Sequence, residues 1–115
     1  MGLILSSNAQ SEETKSIGYP NVKAALEAVT KKKNAQISKQ DGWTVVALPN
    51  EIQWTFTPNS HEAHPSAAKR RLYKKDGAWR VETLMYCEAS KKSCDSLRTD
   101  FNKLDDSLKK YLSKQ

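Results

Sequence analysis

Residues 41–56 are DGWTVVALPNEIQWTF. This stretch opens on Asp41-Gly42, a pair that accepts the positive φ angles of a type I′ turn, the tightest reversal between two antiparallel strands. From Trp43 to Leu48, and again from Ile52 to Phe56, β-branched and aromatic residues dominate, as strands prefer. Pro49-Asn50 between them supplies another turn. Counting pairs outward from Leu48 and Glu51 sets Ala47 opposite Ile52, Val45 opposite Trp54 and Trp43 opposite Phe56. That register predicts one apolar face and a second face, with Thr44, Val46, Gln53 and Thr55, that is mostly solvated.

Downstream, Asp76-Gly77 repeats the hairpin signal. It pairs Leu72 with Val81, Ala68 with Met85 and Lys74 with Trp79. Cys87 shares its parity with Val81 and Met85 and so points into the core. The opposite face carries Lys69, Arg71, Tyr73, Arg80, Glu82, Leu84 and Tyr86, with Arg71 directly across from Glu82. Arg70 turns inward. There it needs a carboxylate, with Asp100, Asp105 or a loop glutamate in range, unless it sits at the sheet edge and snorkels to water.

Helices flank these strands. Val22, Ala25, Leu26 and Val29 follow helical spacing, Pro20 suits a first turn and Lys31-Lys32-Lys33 complements the negative end of the dipole, which predicts a helix from about Pro20 to Lys32. At the other end Cys94, Leu97, Phe101, Leu104, Leu108, Tyr111 and Leu112 fall on one stripe. Ser90 or Ser93 can cap that helix, and Asp95 lies near its positive end. The predicted fold is α+β: a helix, a four-stranded antiparallel meander and a C-terminal helix, with both helices on one sheet face. It occupies residues 18–115 as a single domain.

Cys87 and Cys94 are the only cysteines. Both face inward at a short strand-to-helix connection, which predicts a disulfide and an oxidising compartment. Closing so short a loop contributes about 2.5 kcal/mol in the chain-entropy account. The competing readings are a reduced buried pair, or metal and redox chemistry, for which the neighbouring serines, lysines and one glutamate supply no partner. Residues 1–17 read as a signal-peptide remnant and flexible lead-in. Gly2 to Leu5 is apolar, Ser7 and Ala9 fit a peptidase site, and the mature chain is expected to begin near Gln10. The competing reading there is a disordered terminus. No other segment is long and apolar enough to span a membrane, so the expected location is periplasmic or secreted.

At 37% hydrophobic and 28% charged residues the composition is that of an ordinary globular domain, not a disordered chain. Function classes narrow from there. No Gly-x-Ser-x-Gly elbow, phosphate-cradling glycine loop or motif-placed pair of carboxylates occurs, so neither an enzyme nor a cofactor is expected. The long loop from Thr57 to Ser66 holds both histidines, and His61 and His64, with Glu62, form a candidate metal site that lacks a fourth ligand. Lys69 to Arg80 holds six basic residues against one acid, within a chain of net charge +6. That hairpin is the candidate contact surface, through Lys69, Arg71, Tyr73, Arg80 and Tyr86. Its expected partner is an anionic envelope component or an acidic protein, with peripheral contact to a membrane and no nucleic acid. The alternatives are a metal-binding protein centred on His61 and His64, and a cytosolic binder of single-stranded nucleic acid in which tyrosines stack on bases.

Several of these residues recur together: Tyr19-Pro20, Asp41-Gly42-Trp43-Thr44, Trp54-Thr55-Phe56-Thr57-Pro58, His61, Ala63-His64-Pro65, Lys69-Arg70, Leu84, Cys87-Glu88-Ala89 and Cys94-Asp95. In this pattern the chain resembles a family of small exported bacterial proteins of unknown function, over about residues 18–101. Glu62 departs from it, standing where the family pattern has proline. The resemblance implies export and a Cys87–Cys94 bridge, and supplies no catalytic residue.

Overall fold

The computed structural model describes residues 17–114. The apolar stretch at residues 2–5 and the expected cleavage site near Gln10 lie outside them. Helix α1 (Val22–Thr30) is followed by strands β1 (Gln36–Gln40), β2 (Trp43–Leu48), β3 (Ile52–Phe56), β4 (Ser66–Lys75) and β5 (Ala78–Cys87), and then by helix α2 (Lys91–Ser113). The strands form one antiparallel sheet in the order β1-β2-β3-β4-β5. The fold is thus α+β, with five strands where four were expected. The added strand is β1, in which all five residues are exposed. No apolar alternation marks it, although the Asp41-Gly42 turn requires a partner for β2 on its other side.

Both Asp-Gly turns form as expected, with φ of 52° and 86° at the first and 53° and 79° at the second. The second hairpin keeps its predicted register throughout, from Ser66 opposite Cys87 to Lys75 opposite Ala78. The hairpin of β2 and β3 does not. Its loop has three residues, Pro49, Asn50 and Glu51, so Leu48 pairs with Ile52, Val46 with Trp54 and Thr44 with Phe56. A slip of one residue moves a strand's side chains to the other face. Val46, expected on a mostly solvated face, is instead fully buried beside Trp54 and Phe56, while Trp43 and Val45 go to the opposite side.

That loop is also strained. Asn50 and Glu51 both have positive φ, 69° and 59°, a region that costs a residue with a β-carbon about 1 kcal/mol. Replacing Glu51 by glycine is therefore expected to raise stability by about 0.5–1 kcal/mol. An unchanged or lower urea midpoint would contradict the loop conformation.

The two helices lie on opposite faces of the sheet, not on one. The row Phe56, Ala67 and Tyr86 faces α1, while the adjacent row Thr55, Ala68 and Met85 faces α2. The first core joins Ile17, Val22, Ala25 and Val29 to Val46, Trp54, Phe56 and Ala67. The second joins Leu97 and Phe101 to Ala63, Ala68 and Met85. Apolar doublets explain the arrangement. Val45-Val46, Ala67-Ala68 and Leu84-Met85 each place one apolar side chain on either face, as a sheet covered on both sides requires.

Capping and covalent bonds fix the helices. Asn21 is the N-cap of α1, its side chain accepting from the Ala24 amide at 2.8 Å. The helix therefore begins at Val22, one residue past its cap, rather than at Pro20, and ends at Thr30, ahead of the lysine run. The Glu88 carboxylate accepts from the Val22 amide at 2.7 Å, placing a negative charge at the helix N-terminus, where the dipole favours it. Ser90 caps α2. Cys87 and Cys94 form the expected disulfide, with Cα atoms 5.8 Å apart, and so join the end of β5 to the first turn of α2. No helix among the described residues is long and apolar enough to cross a membrane.

Candidate functional site: a projecting basic ribbon

β3 pairs with β4 only from Phe56 opposite Ala67 to Ile52 opposite Arg71. Beyond Arg71, β4 makes one backbone hydrogen bond to the β2–β3 loop, from the Leu72 amide to the Glu51 carbonyl, and otherwise pairs with β5, through four more pairs from Leu72–Val81 to Lys75–Ala78. The hairpin thus leaves the five-stranded sheet as a two-stranded ribbon about 13 Å long. Its chemistry is dense. Tyr73 pairs with Arg80 across the ribbon, and the Arg71 guanidinium lies 4.5 Å from the Tyr73 ring centroid. On the other face the Lys74 ammonium stands 5.4 Å from the ring centroid of its cross-strand neighbour Trp79. Such cation–aromatic contacts hold long side chains in place without neutralising them. Arg71 also meets Glu82 at 3.6 Å, with both side chains 47% exposed, so this pair contributes little to stability.

Of the residues expected to form the contact surface, Arg71, Tyr73 and Arg80 are contiguous on the ribbon. Lys69 shares their face one pair row inside the sheet, half-buried, with its ammonium 5.9 Å from the Trp54 ring centroid. Tyr86 is separate. It pairs with Ala67 and packs on the α1-side core, about 20 Å along the strand from Arg80. Lys74 and Trp79, which the sequence pairs correctly but does not mark as contact residues, belong to the ribbon's exposed chemistry.

The histidine loop is built of turns. The His61 amide donates to the Pro58 carbonyl and the His64 amide to the His61 carbonyl, both at 3.0 Å. His61 Nδ1 accepts from the Ala63 amide at 2.9 Å, and its ring sits edge-on to Trp43. His64 Nδ1 lies 2.8 Å from Thr57 Oγ1, which itself accepts from the Ser66 amide at 3.0 Å. That hydroxyl also lies 3.5 Å from the Ser66 carbonyl oxygen. Each histidine thus spends Nδ1 on the loop. No group of three or more histidine, cysteine or acidic side chains converges among the described residues.

A second feature lies beneath α2. Arg70 turns inward, and its Nε meets Asp105 Oδ1 at 3.1 Å, each side chain 12% exposed. Asp105 was one of the carboxylates expected for it. The guanidinium also lies 5.8 Å from the Phe101 ring centroid and approaches Gln53 Oε1 at 3.5 Å. Beside this pair a cleft of about 730 Å³ runs between the α2 side chains Leu104 and Leu108 and the strand residues Ala47, Ile52 and Leu72. The predicted apolar stripe of α2 is buried as far as Phe101, after which Asp105 takes the inner position, while Leu104 is 50% and Tyr111 62% exposed.

No family model, no curated protein and no solved structure matches this chain.

Proposed function

We propose that the chain is a non-catalytic binding or accessory protein of the periplasm or extracellular space that docks on an anionic partner, an envelope component or an acidic protein, through its β4–β5 ribbon. The observation that carries this reading is the ribbon itself. Four residue pairs stand clear of the sheet and present Lys74, Lys75 and Arg80, with Arg71 at their root and two aromatic rings stiffening the cations. A fold gains nothing from concentrating like charge on an unsupported hairpin, so a complementary surface is the economical reason for it. Export is supported by the Cys87–Cys94 bridge, since such bonds persist in oxidising compartments, and by the resemblance of the sequence to the exported family. The histidine loop is read as a structural brace, because its Nδ1 atoms serve the loop's own turns.

Substituting Arg71→Glu and Arg80→Glu together should abolish recovery of partners by crosslinking from envelope extracts. Both side chains are exposed, so the fold should survive, which an unchanged circular dichroism spectrum would verify. Recovery equal to wild type would remove the ribbon from the account.

A further inference from the structure

The ribbon does not stand alone at its end of the molecule. Lys32 and Lys33, just past the end of α1, line a depression together with Leu48, Pro49, Asn50 and Ile52. On the other side of the same Pro49-Asn50 turn, Ser107 and Leu108 of α2 line the cleft with Leu72. The Leu72 amide in turn donates to the Glu51 carbonyl at 3.1 Å. The β2–β3 turn, the C-terminal ends of both helices and the root of the ribbon therefore meet at one pole.

Charge follows this geometry. The α1 end brings Lys31, Lys32 and Lys33, all exposed. The ribbon and its root bring Arg71, Lys74, Lys75 and Arg80, and the end of α2 brings Lys109, Lys110 and the C-cap Lys114. Against these ten cations the pole has four carboxylates: Glu51, Asp76, Asp106 and Glu82, the last engaged by Arg71. Lys69, which lines the depression with Lys32 and Lys33, adds an eleventh cation. Two exposed aromatics, Trp79 and Tyr111, sit among the cations.

We infer that this pole binds the surface of a bilayer containing anionic phospholipids, lying on the headgroups without crossing them. The inference deepens the proposed function and rests on its assignment of the ribbon as a contact surface. Two features favour a lipid surface over an acidic protein. The cations come from three separate elements and from both faces of the ribbon, with Lys74 opposite in parity to Arg71 and Lys75, so an end-on approach to an extended surface engages more of them than a patch on one face would. Tryptophan and tyrosine beside lysine and arginine form the side-chain set that settles at the headgroup level, rings toward the acyl boundary and cations on phosphate. Polybasic attraction to anionic lipid contributes about 1 kcal/mol per lysine or arginine and weakens with salt.

Sedimentation with vesicles of 30% phosphatidylglycerol in phosphatidylcholine tests this. The protein should bind these vesicles in 0.1 M salt, release in 0.5 M salt and ignore pure phosphatidylcholine. Lys32→Gln with Lys33→Gln, or Lys109→Gln with Lys110→Gln, should each lower the partition coefficient roughly 25-fold, the product of about fivefold per lysine. These side chains are exposed, so folding is not at stake. Absence of binding to the anionic vesicles would overturn the inference, and so would binding that neither helix-end pair weakens. Capture of an acidic protein or of a single-stranded oligonucleotide through Arg71 and Arg80, with the vesicles ignored, would also overturn the lipid assignment while leaving the ribbon's role standing. Loss of every interaction with envelope material would sink both.

Discussion

Replacing Trp54 by alanine should cost about 4 kcal/mol, the largest loss expected from a single side chain in this domain. Trp54 is 2% exposed. Its ring stacks on Phe56 at a centroid distance of 5.8 Å and meets Tyr19 edge-on at the same distance. Truncation removes apolar area and leaves a void between α1 and three strands that cannot all close on it. With total stability of about 5–15 kcal/mol for a domain of this kind, such a loss takes the chain close to unfolding at physiological temperature. Trp79 supplies the internal control, because it is exposed on the ribbon and its removal should shift stability by no more than about 0.5 kcal/mol. Urea unfolding of the two variants decides the matter. Equal losses would mean that Trp54 does not face α1, and that the β2–β3 register is wrong.

The second large effect concerns Asp105. Arg70 and Asp105 are each 12% exposed, and removing one partner leaves the other's charge with little water and no counterion. Asp105→Leu should therefore destabilise the domain by about 3 kcal/mol, whereas Arg70→Met combined with Asp105→Leu should return to within about 1 kcal/mol of wild type. The asymmetry between single and double variants is the informative quantity. A double variant as unstable as Asp105→Leu alone would show that packing of the aspartate, not its charge, supports α2. The pair also explains how an acidic residue comes to lie on the inner stripe of that helix, beside Leu97 and Phe101.

Local turn chemistry was the most legible part of this fold. The Asp76-Gly77 pair set its hairpin, because a two-residue type I′ loop leaves no choice of register, while Asp41-Gly42 marked a turn whose other strand was not expected. The β2–β3 loop resisted the same logic. Pro49-Asn50 resembles a two-residue turn, but Glu51 joins it with positive φ, and one added residue exchanged the faces of β2. The sided arrangement of the helices was readable in principle from the doublets Val45-Val46, Ala67-Ala68 and Leu84-Met85. A count that follows one parity at a time passes over them. Strand β1 has no apolar signal to find, since every residue in it is exposed. The bridge was legible because both cysteines keep inward parity on either side of a short connection, and for an inward Arg70 a carboxylate was expected, with Asp105 one of three in range.

The candidate site divides in the same way. Arg71, Tyr73 and Arg80 lie on one strand pair and could be placed together by counting. Tyr86 has the same parity, yet distance along the strand carries it from the ribbon into the core beside Ala67. The approach of Lys32, Lys33 and the end of α2 to the ribbon is a tertiary fact. It depends on helices lying on both faces and ending at the same turn, and no spacing in the sequence encodes it.

Lysine footprinting in the native envelope fraction reads directly whether the ribbon is covered by a partner. Brief acetylation followed by mass spectrometry compares each lysine in the purified protein with the same lysine in its own envelope extract. Lys92, exposed in the first turn of α2 at the far end of that helix from the pole, serves as the internal reference. A docked ribbon leaves Lys74 and Lys75 protected in the extract while Lys92 reacts as before. Equal reactivity of the ribbon lysines in both preparations, or protection centred on Lys92, would contradict it.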